Sequence, residues 1–87
     1  SLPQFSILRQ NQTVYKPGGQ WMEIDLSGAV LEAFEGVSLQ EEKMIMASLT
    51  NTMLGFYGLD VLGILCEGEH IQTSYQLYDS YFLFSET

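Results

Sequence analysis

The sequence predicts an α+β domain, a two-layer α/β sandwich with one main amphipathic helix and a short helix packed on a small mixed or antiparallel sheet. Three observations carry this. From Trp21 to Leu26, apolar Met22, Ile24 and Leu26 alternate with Trp21, Glu23 and Asp25, the period of two of a half-buried strand. Ser38, with Glu41 three residues on, forms a capping box that opens a helical pattern running to Leu54. Leu59 to Cys66 is nearly continuous apolar sequence of strand length, as in a strand covered on both faces.

The remaining elements follow from turn chemistry. Gln4 to Tyr15 carries Phe5, Ile7, Val14 and Tyr15 among polar residues, which reads as a pair of short extended pieces or one irregular strand. Lys16-Pro17-Gly18-Gly19 then supplies a turn. After Ser27-Gly28, a possible cap, residues 29–35 form two helical turns that stop at Gly36, a residue tolerant of the left-handed position. On the main helix, Ile45, Leu49, Thr52, Met53 and Phe56 fall in one stripe at 100° per residue, and Gly55 and Gly58 provide the stop. That stripe should pack on Met22, Ile24 and Leu26. Glu67-Gly68-Glu69 is a tight three-residue connection into a returning strand, His70 to Tyr75, and residues 76–87 are aromatic without a clean period.

Composition narrows the function. With 87 residues the chain has room for one small domain, and 46% hydrophobic with 16% charged residues is the composition of a chain with a core. A net charge of −8 repels polyphosphate and anionic headgroups, which argues against nucleic acid and against electrostatic membrane binding. No stretch approaches the roughly 18 apolar residues of a membrane span. One cysteine, Cys66, excludes an internal disulfide and cannot build a cysteine zinc site.

Chemical candidates are few. Cys66 and His70 bracket the hairpin turn as a nucleophile and base would, yet with no third orienting group Cys66 reads as a small buried hydrophobe. His70 with Glu67 and Glu69 reads as a solvated turn, and Glu23, Asp25, Glu32 and Glu35 read as a solvated face. Gly18-Gly19 precedes a strand, whereas phosphate loops precede a helix. Asn11-Gln12-Thr13 fits the N-glycosylation pattern, a short match common by chance. No catalytic residue, metal ligand or cofactor is therefore assigned. What is left is an interaction surface, with Trp21, Tyr75, Tyr78, Tyr81, Phe82 and Phe84 as its candidates.

Three segments together resemble a known family. Trp21-Met22-Glu23-Ile24-Asp25-Leu26-Ser27, the helix from Glu41-Glu42 to Ser48-Leu49-Thr50-Asn51-Thr52-Met53, and Tyr57-Gly58-Leu59-Asp60-Val61-Leu62-Gly63-Ile64-Leu65-Cys66-Glu67-Gly68-Glu69 look like the GerMN domain of sporulation and spore-germination proteins. Leu2-Pro3 and Phe5-Ser6-Ile7-Leu8 look like the segment that precedes the family's strand. Met53 stands where the family usually has Leu, and Leu62-Gly63 loosens its strand pattern. The resemblance implies a single domain over residues 1–87, the C-terminal two-thirds of the usual GerMN domain, whose first strand and helix have no counterpart here. It also implies helices on one face of a sheet, as in ring-building motifs, and a non-catalytic assembly role. The expected location is extracytoplasmic, in the bacterial cell envelope, in a lipoprotein or membrane-anchored protein.

Two functions follow as expectations. The first is an interaction module that binds a protein partner or self-associates. A sheet lacking its usual opening strand leaves an edge to cover, and Tyr81-Phe82-Leu83-Phe84 has the residues to cover it in its own chain or in a neighbour. The second is a small-ligand or envelope-glycan binding domain that uses Trp21 and the tail tyrosines as a stacking platform.

Overall fold

The computed structural model describes residues 6–10, 14–16 and 19–83. The segment at Leu2-Pro3, the Asn11-Gln12-Thr13 pattern, Pro17-Gly18 and Phe84 lie outside the described residues. In chain order the elements are β1 (Ile7–Gln10), β2 (Val14–Lys16), β3 (Gly19–Leu26), a 3₁₀ helix (Gly28–Phe34), α1 (Leu39–Tyr57), β4 (Val61–Cys66), β5 (Glu69–Gln72) and β6 (Leu77–Tyr78).

These six strands form one mixed sheet in the order β1, β3, β4, β5, β6. β2 shares the β1 position: β1 pairs antiparallel with the C-terminal half of β3 and β2 with its start. The first segment is thus two short pieces along one edge. β3 and β4 run parallel, with Met22 beside Leu62, Ile24 beside Ile64 and Leu26 beside Cys66. A parallel pair needs a long crossover, and the 3₁₀ helix and α1 supply it.

The sheet row of Ile24, Leu26, Leu62, Ile64 and Cys66 forms the core with Met46, Leu49, Met53 and Leu54 of α1 and Val30 of the 3₁₀ helix. The capping box at Ser38 is present, with the Glu41 amide donating to Ser38 Oγ at 3.1 Å and the Ser38 amide to Glu41 Oε1 at 3.0 Å. The bond from the Ser38 amide, followed by the Ser38 side chain, holds the Glu41 carboxyl below its ordinary range. At the other end α1 runs through Gly55 to Tyr57. It stops at Gly58, whose φ of 65° and ψ of 39° are the left-handed cap that glycine adopts without strain.

The buried face of α1 differs from the stripe expected from sequence. Glu42, Met46, Leu49, Thr50, Met53 and Leu54 are buried, whereas Ile45 is half-buried, Thr52 exposed and Phe56 77% exposed. Leu49 and Met53 belong to both stripes, and the helix is turned about them by roughly 80° at 100° per residue. The cause is Glu42. A carboxylate reads as solvent-facing, but this one has partners inside the protein.

Further expectations are corrected. Ser27 does not cap the short helix, because its hydroxyl accepts from the Ser6 amide at 2.9 Å. The Glu67 carboxylate takes that place, accepting from the Gly28 amide at 2.7 Å. Asp25 belongs to the outward row but is only 4% exposed, since its Oδ1 accepts from the Gly68 amide at 2.9 Å across the β4–β5 turn. In that turn Glu67 and Gly68 both have positive φ, 52° and 82°, the signature of a two-residue hairpin loop. β5 then ends at Gln72, earlier than its alternating pattern suggests. Thr73 diverts the chain, its Oγ1 accepting from the amides of Tyr75 and Gln76 at 3.1 and 3.3 Å.

The tail closes on its own chain. Phe82 pairs with Leu62, the Leu62 amide donating to Phe82 O at 2.9 Å and the Phe82 amide to Leu62 O at 2.7 Å. This covers the length of β4 that β5 leaves behind when it turns away at Thr73.

Candidate interaction surfaces

Closing the tail over α1 creates a groove. One wall is a strip of α1 at helical spacing, Lys43, Met46, Ala47 and Thr50, and the other is Tyr78, Phe82 and Leu83. Its volume is about 180 Å³. Pockets that take drug-sized ligands run to roughly 300–1,000 Å³, so this one has room for a single side chain. Its floor, Met46 and Thr50, is fully buried, and Leu83 at its rim is 64% exposed.

A buried carboxylate fixes the second wall. Glu42 has no exposed surface, and its Oε2 accepts from the Tyr78 hydroxyl at 2.7 Å and from the Thr73 hydroxyl at 2.8 Å. Its Oε1 has no hydrogen-bond partner among the described residues. Gln76 Nε2 donates to the Tyr78 oxygen at 2.8 Å, and the Tyr78 and Phe82 rings lie 6.2 Å apart at 41°. Glu42 thereby ties the segment around β6 to the first turns of α1. Sequence reasoning missed Glu42, Lys43, Met46, Ala47 and Thr50; the available signal was the spacing of Glu42 to Met46, Leu49 and Met53, which sets an acid in line with a core stripe.

Burial, followed by the hydrogen bond donated to Glu42, pushes the Tyr78 hydroxyl up to about 12. Because the folded value lies above the ordinary one near 10, the stabilisation is complete below pH 10 and is lost as pH rises toward 12. Two units correspond to about 2–3 kcal/mol. Denaturant unfolding at pH 9 and pH 11.5 should show this loss in the wild type, with a smaller loss in Tyr78→Phe. Equal losses in the two proteins would contradict it.

The face of the sheet opposite α1 holds a second aromatic group. Trp21, Glu23 and Gly63 share that face, and Tyr81 lies over Gly63, where a methyl group would come within 3.1 Å of the ring. The Trp21 and Tyr81 rings meet edge to face, 4.9 Å between centroids and 70° between planes. Of the six residues expected to form one surface, the structure therefore brings Trp21 to Tyr81 and Tyr78 to Phe82, on opposite sides of the sheet. Tyr75 stands apart, its hydroxyl donating to Val37 O at 2.8 Å. Of the tail tyrosines, Tyr81 alone meets Trp21 among the described ring contacts.

Cys66 and His70 do not form a pair. Leu65 lies opposite His70 and Cys66 opposite Glu69, so alternation sets Cys66 and His70 on different faces of the hairpin. Cys66 is buried, with Sγ 3.7 Å from Ser27 O, and burial followed by the charges of Glu67 and Asp25 pushes its thiol up, away from nucleophilic thiolate. Among the described residues no three of His, Cys, Asp and Glu gather in a metal-binding arrangement, and no helix is long and apolar enough to cross a membrane.

The segments that resemble a GerMN domain interlock in space: beyond the Asp25 contact to Gly68, the Glu67 amide donates to Leu26 O at 2.9 Å. No family model, curated protein or solved structure matches the chain, so that resemblance rests on the quoted segments alone.

Proposed function

We propose that this domain is a non-catalytic interaction module that receives an apolar side chain of a protein partner in the groove between α1 and the tail. The observation that carries the reading is the groove itself: too small for a ligand of ordinary size, lined by Met46, Ala47 and Phe82 and rimmed by exposed Leu83. Large apolar side chains in desolvated pockets dominate the energetics of protein interfaces. The separation of Cys66 from His70 supports a role without nucleophilic catalysis. A second copy is the less suitable partner, because a dimer doubles a net charge of −8. An assembly role in a bacterial envelope, outside the cytoplasm, agrees with the GerMN resemblance.

Peptide display on the immobilised chain tests this. Selected peptides should share one large apolar residue and lose about tenfold or more in affinity to Ala47→Gln, which fills the groove, and to Leu83→Asn, which removes its rim. The reading fails if no peptide is enriched while an envelope glycan binds and these substitutions leave that binding unchanged.

A further inference from the structure

The groove between α1 and the tail has a single charged residue in its lining. Lys43 is exposed there, and its ammonium has no hydrogen bond or ion pair among the described residues. Its neighbours three and four positions away on α1, Leu39, Gln40, Met46 and Ala47, are uncharged, so the helix surface supplies no partner at the spacing where one would pair. The opposite wall, Tyr78, Phe82 and Leu83, carries no charge either, and the Tyr78 hydroxyl is committed to Glu42. A pocket for one apolar side chain is thus joined to one unpaired cation, in a chain with eleven acidic residues and three basic ones.

Building on the reading of the groove as a receptor for a partner's side chain, we infer that it captures the C-terminus of a polypeptide ending in a large apolar residue, whose α-carboxylate pairs with Lys43. Lys43 stands one helical turn from Met46 and Ala47, about 5–6 Å between Cβ atoms, so the anion must lie close to the inserted side chain. In an extended peptide the residues next to an anchor point to the opposite face, and those that share its face are roughly 7 Å along the chain. An α-carboxylate, by contrast, sits on the anchor's own Cα. The charge of the domain selects in the same direction. A net charge of −8 opposes each additional acid on the ligand, which favours one carboxylate placed at Lys43 over an acidic tract. The contact pair survives that field because charges farther off than about 8–10 Å are largely screened at physiological salt.

The probes are short glycine–serine peptides acetylated at the N-terminus and titrated into the ¹⁵N-labelled chain. One ends in leucine with a free carboxylate, and a second is its C-terminal amide. A third ends in glycine with a free carboxylate, and a fourth carries leucine beside an internal aspartate and ends in an amide. The expected result is saturable shifts of the Ala47 and Leu83 amides with the leucine carboxylate peptide. Its affinity should exceed that of the amide by about three- to fivefold, and in Lys43→Gln the two should bind equally. Lys43 is exposed, so this substitution leaves the fold intact. Lys43→Arg should keep the preference, as should Lys16→Gln on β2, which changes the net charge by the same amount. Equal binding of carboxylate and amide to the wild type, both lost in Ala47→Gln, would overturn the inference while the groove reading stands. Equal binding of the aspartate peptide would overturn the terminal carboxylate, and equal binding of the glycine peptide would overturn the apolar anchor. The same amides shifting with protein concentration alone would overturn the inference in favour of a second copy. No saturable shift with any probe would also overturn it, and the groove reading would then be decided by the displayed peptides alone.

Discussion

Truncating Leu49 to alanine is expected to destabilise the domain by about 2–5 kcal/mol. Leu49 has no exposed surface and lies in the core with Ile24, Leu26, Leu62 and Ile64. The loss combines transfer of the missing side-chain carbons with the cavity left where α1 meets β4. Small domains are stable by only about 5–15 kcal/mol, so this one change removes a large share of the total. Urea unfolding with Phe56→Ala alongside reads the helix orientation directly. Phe56 sits on the stripe suggested by sequence but is exposed in the structure, and its truncation should stay within about 0.5 kcal/mol. If Phe56→Ala cost as much as Leu49→Ala, α1 would have to be turned back toward the sequence stripe.

Glu42→Ala should cost about 2–5 kcal/mol, for a different reason. The hydroxyls of Thr73 and Tyr78 both lose their short bonds to Oε2. A buried donor left without an acceptor costs about 1–3 kcal/mol. Relief of the desolvated carboxylate offsets part of that sum, since an ionised group without a counter-charge is itself unfavourable in the interior. Glu42→Gln separates these contributions. Its amide oxygen can take the place of Oε2 and accept from both hydroxyls, so it should cost less than half as much as the alanine variant. Thermal and urea unfolding of both variants give the comparison. A loss below about 0.5 kcal/mol for Glu42→Ala would mean that the carboxylate does not hold the β6 segment to α1.

The contrast between these two residues shows what was legible in the sequence. Alternation in Met22, Ile24 and Leu26, the Ser38–Glu41 capping box and the apolar run to Cys66 are local signals. Each produced its element with bounds close to those observed. Leu49 and Met53 were placed on the core for the same reason. Glu42 was not legible, because its burial depends on Thr73 and Tyr78, more than thirty residues away in the chain. That long-range network accompanies an α1 face on which Met46, Leu49, Thr50, Met53 and Leu54 are buried and Phe56 is exposed. The aromatic residues were picked out by type, but type cannot say that Trp21 and Tyr81 share one face while Tyr78 and Phe82 lie on the other. That partition follows from the Thr73 turn and the Phe82–Leu62 pairing, neither of which leaves a periodic trace in residues 76–83.

The most direct test of the interaction reading is chemical-shift mapping on the ¹⁵N-labelled chain with a peptide selected for binding. The account predicts that the amides moving most belong to Lys43, Met46, Ala47 and Thr50 on α1 and to Phe82 and Leu83 on the tail, with little change around Cys66 and Glu67. Shifts confined to residues away from this groove, such as exposed Phe56 near the end of α1, would contradict it.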